Sequence, residues 1–210
     1  MLLLLPIELR ELILSFLTRE EYKETVPCKG LLLCQSYLPI EDFSKVKKLP
    51  TVKLSPSQLE ELFIKSCKNG NSWLVDKLIA KFKVDPSFHN NRAIVIASCN
   101  GYSEVVKRLL LDSRVDPSDN DNEAILYASK KGHIEVVDVL LEDPRVDPSD
   151  CENVAIRWAS ENGHLAVVER LLQDPRVDPS DKKNYAIRGA AENGHIKVVE
   201  RLLQDRKVMS

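Results

Sequence analysis

The apolar residues over most of the chain repeat a pattern of two short helical faces separated by a glycine. Ala155, Ile156 and Ala159 lie at the spacing of one helical face and precede Gly163. After that glycine, apolar residues return at helical spacing as Leu165, Val167, Val168, Leu171 and Leu172. Neither pattern exceeds about ten residues, which is marginal for an isolated helix in water. The pattern therefore predicts helix–turn–helix units that bury their faces against neighbouring copies.

The pattern has a period of 31 residues. Gly70 and Gly101 show the step, since 101 − 70 = 31, and it continues to Gly132, Gly163 and Gly194. Asp-Pro pairs keep the same step, beginning at Asp85, Asp116, Asp147 and Asp178. Five units follow, at 57–87, 88–118, 119–149, 150–180 and 181–210. A stack of such units predicts an all-α solenoid.

The segments between units carry signals that end and begin helices. DPRVDPSD occurs at 143–150 and 174–181, and the proline after its first aspartate stops the preceding helix. We expect Val146 and Val177 to anchor this connection to the core. Asn153 is placed to cap the following helix with its side-chain oxygen, and glycine suits a left-handed helix C terminus. The equivalent asparagines are Asn91, Asn122 and Asn184.

Composition and charge exclude several classes of protein. The 210 residues are 43% hydrophobic and 30% charged, yet the net charge is only −2. Basic and acidic residues are interspersed, so no stripe of one sign can follow nucleic acid or a membrane surface. The five cysteines form no CxxC pair, which favours a reducing compartment over a disulfide framework. We expect a cytoplasmic monomer with neither nucleic acid nor membrane as a partner.

The repeated polar residues form no catalytic or metal-binding pattern. His133, His164 and His195 invite a zinc interpretation, but packed helices lie about 8–10 Å apart. Imidazoles one unit apart cannot share an ion that binds nitrogen at about 2.1 Å. The histidines are instead predicted to brace the turn before each second helix. No catalytic residue, metal or cofactor is predicted, and the chain is not expected to be an enzyme.

The second-helix sequences resemble those of ankyrin repeats. GHIEVVDVLL, GHLAVVERLL and GHIKVVERLL, at 132–141, 163–172 and 194–203, are similar to the signature of that family. The usual Thr-Pro-Leu-His at the start of the first helix is replaced, for example by Val-Ala-Ile-Arg from Val154. The unit is also shorter than the usual period of about 33 residues, which indicates a loop rather than a full β-hairpin at the finger. Similar short arrays occur in large DNA viruses and their protist hosts, which would place a viral protein in the host cytoplasm.

Residues that differ between units indicate an interaction surface. The resemblance implies that fingers and first helices line a concave face that binds a protein, and aromatic and arginine side chains are enriched at binding hot spots. The predicted partner-binding residues are Arg92, Ile96, Tyr127, Lys130, Arg157, Trp158, Glu161, Tyr185 and Arg188. Two alternatives stay open, namely drift on a solvated face and partial burial of Trp158 between units.

The first 56 residues lie outside the period, and we divide them into a helical region at 1–49 and a linker at 50–56. LPIELRELILSFL, at 5–17, has the pattern of an amphipathic helix. It is similar to the opening of an F-box, which docks onto the linker subunit of cullin–RING ubiquitin ligases. The resemblance implies docking through Leu5, Pro6, Leu9, Ile13, Leu14, Phe16 and Leu17, but it fades after Thr18. The alternative is a cap over the end of the solenoid.

Two functions fit these features. The first is a non-enzymatic adaptor whose array holds a target protein while the F-box-like segment recruits a ubiquitin ligase. The second is a plain ankyrin scaffold or competitive inhibitor, with residues 1–56 as a structural cap.

Overall fold

The computed structural model describes residues 55–205 and residue 208. The F-box-like segment and the predicted linker, apart from Ser55 and Pro56, lie outside these residues. Within the described part, all regular structure is helical and no strand occurs. The all-α prediction is confirmed there.

Ten helices in the described part form five consecutive pairs. The first helices of the pairs are α1 (Pro56–Lys68), α3 (Phe88–Cys99), α5 (Asp119–Lys131), α7 (Asp150–Glu161) and α9 (Asp181–Glu192). The second helices are α2 (Ser72–Ala80), α4 (Ser103–Leu110), α6 (Ile134–Leu141), α8 (Leu165–Leu171) and α10 (Ile196–Leu203). First helices pack on first helices and second helices on second helices, in sequence order. This arrangement is the predicted solenoid.

The core lies between the two helix layers and repeats with the sequence. In the central unit, Ala124 and Ile125 of α5 and Leu140 of α6 are at most 1% exposed. The small alanine lets neighbouring first helices approach closely, while the branched residues fill the space between layers. Val146 and Val177 are 0% and 2% exposed. Their predicted role as anchors of the connection is confirmed.

Each of the last four first helices begins with a left-handed turn. In α7, Cys151, Glu152 and Asn153 have φ of 51°, 60° and 61°, and right-handed helix follows. Three such residues recur at the starts of α3, α5 and α9. Left-handed backbone is costly for residues other than glycine, and asparagine tolerates it best. This turn is the finger, so the predicted loop in place of a β-hairpin is confirmed.

The prediction that Asn153 caps its own helix is wrong. The residue that precedes α7 is Ser149, and no side chain caps the helix there. Asn153 instead occupies the last left-handed position of the turn, where its backbone N–H donates to Ser149 O at 2.9 Å. Its side chain is therefore free to bind the next unit.

Candidate functional site

Asparagine side chains connect each finger to the next unit. Asn122 Oδ1 accepts the backbone N–H of Asp147 at 2.8 Å, and its Nδ2 donates to Asp150 Oδ2 at 2.8 Å. Asn91 and Asn153 make the same pair of bonds one unit earlier and one unit later. A buried amide that satisfies both its donor and its acceptor fixes the register of neighbouring units.

Histidine side chains form a second row of contacts between units. His133 Nε2 lies 3.1 Å from Cys99 O, and His164 and His195 repeat this contact with Lys130 O and Glu161 O. Because a carbonyl oxygen only accepts, Nε2 carries the proton in each contact. The ring of His164 also lies over Gly132. The histidines therefore brace the preceding unit, whereas the sequence had indicated their own turn.

Arginines in the connections form the third row. Arg145 binds Asp143 through Nε and Nη2, at 2.9 and 2.7 Å, and its Nη1 donates to Val115 O at 2.9 Å. The hydrogen bond from Arg145 is the main cause that lowers the pKa of Asp143. Arg176 repeats these contacts with Asp174 and Val146. We call the asparagine, histidine and arginine rows together the seam.

The second aspartate of the DPRVDPSD segment closes the turn that leads into the next first helix. Asp147 Oδ1 accepts the backbone N–H of Ser149 at 2.9 Å and its hydroxyl at 2.7 Å. The repeated aspartates thus bind backbone and neighbouring side chains. Among the described residues, no three His, Cys, Asp or Glu side chains gather as a metal-binding group.

The aromatic side chains of α5 and α7 lie together outside the core. The rings of Tyr127 and Trp158 have centroids 6.1 Å apart and are tilted by 42°. Lys130 Nζ lies 4.6 Å from the centroid of Trp158, which is within the range of a cation–π contact. All three residues are half-buried, so each still presents a surface to solvent.

A second cluster follows on α7 and α9. The guanidinium carbon of Arg157 lies 4.6 Å from the ring centroid of Tyr185, and that of Arg188 lies 5.9 Å from it. Gly189 lies beside this cluster, since a Cβ there would be in van der Waals contact with Tyr185 Cε1 at 3.6 Å and with Glu161 Cβ at 3.5 Å.

Comparison with known families agrees with this geometry. Residues 63–152 match the family described as Ankyrin repeats (3 copies). Ankyrin repeats occupy this part of the chain. The helix pairs α7–α8 and α9–α10 continue the same seam contacts beyond the matched residues. A search of curated proteins found no significant match.

Ankyrin repeats are typically interaction scaffolds without enzymatic activity, and they imply protein partners. In the residues that the structure describes, no helix is long and apolar enough to cross a bilayer. This general role does not identify which surface of these repeats binds a partner.

The structure brings together most of the side chains that the sequence singled out. The first cluster holds Tyr127, Lys130 and Trp158, and the second holds Arg157, Tyr185 and Arg188. Glu161 lies beside Gly189. Arg92 is exposed and Ile96 is half-buried on α3. We call these nine residues the first-helix face.

The predicted partner-binding residues do not include two lysines at the finger of the last unit. Lys182 Nζ lies 2.5 Å from Glu152 Oε2, so it bridges two neighbouring fingers. Lys183 is exposed beside it. The signal that could have identified them is a change of charge at equivalent positions, where Asp121 and Glu152 are replaced by Lys183.

Proposed function

We propose that this chain is a non-enzymatic adaptor whose first-helix face binds a target protein. The observation that supports the proposal is the contrast between a seam with constant residues and a face on which aromatic and cationic side chains change from unit to unit. Side chains needed only for stacking would be expected to repeat, as the asparagines and histidines do. The residues of the face do not repeat, so a partner is the simplest constraint on them.

The chemistry of the face suits a protein partner. Half-buried tyrosine and tryptophan offer large rigid surfaces at a small entropic cost. The stacking of Lys130 on Trp158 and of Arg157 on Tyr185 restricts long side chains before a partner arrives. Such preorganisation reduces the entropy lost on binding.

At the other end of the chain, residues 1–49 would recruit the linker subunit of a cullin–RING ubiquitin ligase. The support for this part is the F-box-like sequence, with Leu5, Pro6, Leu9, Ile13, Leu14, Phe16 and Leu17 as the docking residues. A protein held on the face would then be modified because it lies close to the ligase. Such an adaptor would act in the cytoplasm as a monomer, without a cofactor.

The second candidate function is a plain scaffold or competitive inhibitor, in which residues 1–56 cap the array. It is favoured by the loss of F-box similarity after Thr18. A cap would cover apolar surface at the end of the stack, which terminal units of solenoids require.

The face is tested by affinity purification of the full chain with and without Trp158→Ala. We expect near-normal thermal stability and loss of at least one partner that the unchanged chain retains. The matched control is Leu111→Ala, which removes a side chain that is 79% exposed and lies off the face. Strong destabilisation by Trp158→Ala would instead assign the ring to packing between units.

The N-terminal segment is tested in the same eukaryotic lysate with a double change, Leu9→Glu and Ile13→Glu. The unchanged chain should retain the ligase linker subunit, and the variant should lose it while keeping the partner of the face. If the unchanged chain retains no linker subunit where a known F-box protein does, the cap is the better interpretation.

A further inference from the structure

Two arginines lie against Tyr185 at the C-terminal end of the first-helix face, and two exposed lysines lie in the finger at the start of the same helix, α9. They are Arg157, Lys182, Lys183 and Arg188, and we call them the basic patch. We propose that the basic patch binds a segment of the protein partner that is rich in aspartate and glutamate. The inference rests on the proposed function, because it specifies the chemistry of the partner that the first-helix face takes.

Three of the four basic side chains in the patch form no ion pair within the described part of the chain. Lys182 is paired with Glu152. No carboxylate among the described residues lies within 4.0 Å of the charged groups of Arg157, Lys183 or Arg188. The nearby Asp181 accepts from Asn153 Nδ2 and from the backbone N–H of Lys182. The bond from Asn153 is the main cause that lowers the pKa of Asp181, and the charges of Lys182 and Arg157 lower it further, so this carboxylate offsets part of the charge of the patch.

Each guanidinium group has Nη donors that no hydrogen bond to the described residues uses, whereas Arg157 Nε is buried. Arg157 uses Nη1 on Glu152 O at 3.2 Å, and Arg188 uses Nη2 on Lys182 O at 3.4 Å. A guanidinium carries five N–H donors, and it binds carboxylates in a bidentate manner. Their contacts with the Tyr185 ring orient both guanidinium groups before a ligand binds. Oriented guanidinium groups favour a planar carboxylate over a ligand without a planar charged group.

The second finger position changes from acidic to basic along the array, so the positive charge is confined to its last unit. Asp121 and Glu152 occupy the second finger position in the two central units, whereas Lys183 occupies it in the last unit. An acidic segment is therefore attracted to the last finger and repelled by the central ones. A nucleic acid would need a continuous basic track, which Asp121 and Glu152 interrupt.

The probe for this inference is a displayed library of random 12-residue peptides, selected on the full chain at about 0.15 M salt. Peptides that bind the unchanged chain are counter-selected against Arg188→Glu. We expect aspartate and glutamate to be enriched among the peptides that the variant loses. Synthetic versions should bind about tenfold more weakly to Arg188→Glu, and their affinity should fall with added salt.

The matched control is Lys107→Glu, since Lys107 is also exposed but lies on the second helix α4, off the first-helix face and three units away. Its effect on the same peptides should stay within about twofold, because screened surface charges act over roughly 8–10 Å. Arg188→Ala is measured alongside, and circular dichroism and melting temperature establish that each variant folds. A smaller loss with alanine than with glutamate is expected if charge is the cause.

The possible outcomes separate this inference from the proposed function. If the selected peptides need Trp158 for binding but are neutral or basic, the inference of an acidic partner is wrong, and the first-helix face remains a binding surface. Selected peptides that depend on neither Trp158 nor Arg188 overturn both. A library that yields no binder overturns the inference, because a site for a peptide segment must select one. Displacement of the peptides by single-stranded RNA of equal charge and concentration also overturns it.

Discussion

The seam and the first-helix face lie in the same units, but different requirements constrain their side chains. At the seam, Asn91, Asn122 and Asn153 make the same two hydrogen bonds in three successive units. On the face, one column of the first helices changes from Ile96 through Tyr127 and Trp158 to Gly189. The seam must satisfy a fixed geometry between copies, and the face has no such requirement. Residues that repeat from unit to unit therefore indicate packing, and residues that vary between units indicate the surface on which function is expected.

The largest effect should come from the core beneath both regions. Leu140→Ala removes a side chain that is fully buried between α6 and its neighbours. We expect a loss of about 2–5 kcal/mol in the free energy of unfolding, measured by urea denaturation, because a cavity replaces a buried side chain. Leu111→Ala, at a 79% exposed leucine, is the control and should cost less than about 0.5 kcal/mol. Equal losses for the two variants would contradict the assigned core.

The next effect distinguishes a seam contact from backbone strain by comparing alanine variants of two glycines. Gly132 and Gly194 have φ of 76° and 75°, but only Gly132 has a histidine ring over it. A Cβ at Gly132 would lie 2.5 Å from His164 Nδ1, whereas nothing lies within 4 Å of one at Gly194. Both alanine variants lose about 1 kcal/mol to the left-handed backbone. Gly132→Ala should lose about 1–2 kcal/mol more, because the added Cβ pushes the ring of His164 away and weakens its hydrogen bond to Lys130 O.

The comparison of melting curves for the two glycine variants measures what the ring contact contributes. His164→Ala supplies the internal check, since its combination with Gly132→Ala should cost less than the sum of the two. Additive losses would show that the ring and the glycine are not coupled.

A smaller effect tests the asparagine row. Asn153→Ala removes an acceptor for Asp178 N and a donor to Asp181 Oδ2, and we expect a loss of about 1–3 kcal/mol. Asn184→Ala is the control, because Asn184 has nearly the same backbone angles but its Oδ1 has no partner among the described residues. It should cost less by about 1 kcal/mol in urea denaturation. Similar losses would mean that the asparagine stabilises the left-handed backbone only and that its hydrogen bonds to the next unit contribute little.

The fold was predictable from the sequence because its signals are local and repeated. Ala155 and Ile156 lie at helical spacing, Gly163 has the left-handed conformation that its position indicated, and Val146 is buried as expected. The role of Asn153 was missed because a capping rule considers only the residue's own helix. Its actual partners, Asp178 and Asp181, lie 25 and 28 residues further along the chain.

The candidate site was only partly predictable. Its members differ between units, so the sequence could name Arg157 and Tyr185 as variable residues. It could not indicate that the guanidinium stacks on the ring, because that contact depends on side-chain rotamers in two adjacent units. The proximity of Gly189 to Tyr185 and Glu161 is also visible only in three dimensions.

The smallest effect is expected from an exchange within the first-helix face. Tyr127→Ile replaces the tyrosine with isoleucine, the residue that the preceding unit has at the equivalent position, Ile96. Tyr127 is half-buried and contacts Trp158, so the exchange should cost less than about 1 kcal/mol in urea denaturation. The same exchange should weaken binding of a partner that contacts Trp158, because the ring then loses its neighbour. A loss of stability as large as that of Asn153→Ala would mean that the face also holds units together, and the distinction between the two regions would fail.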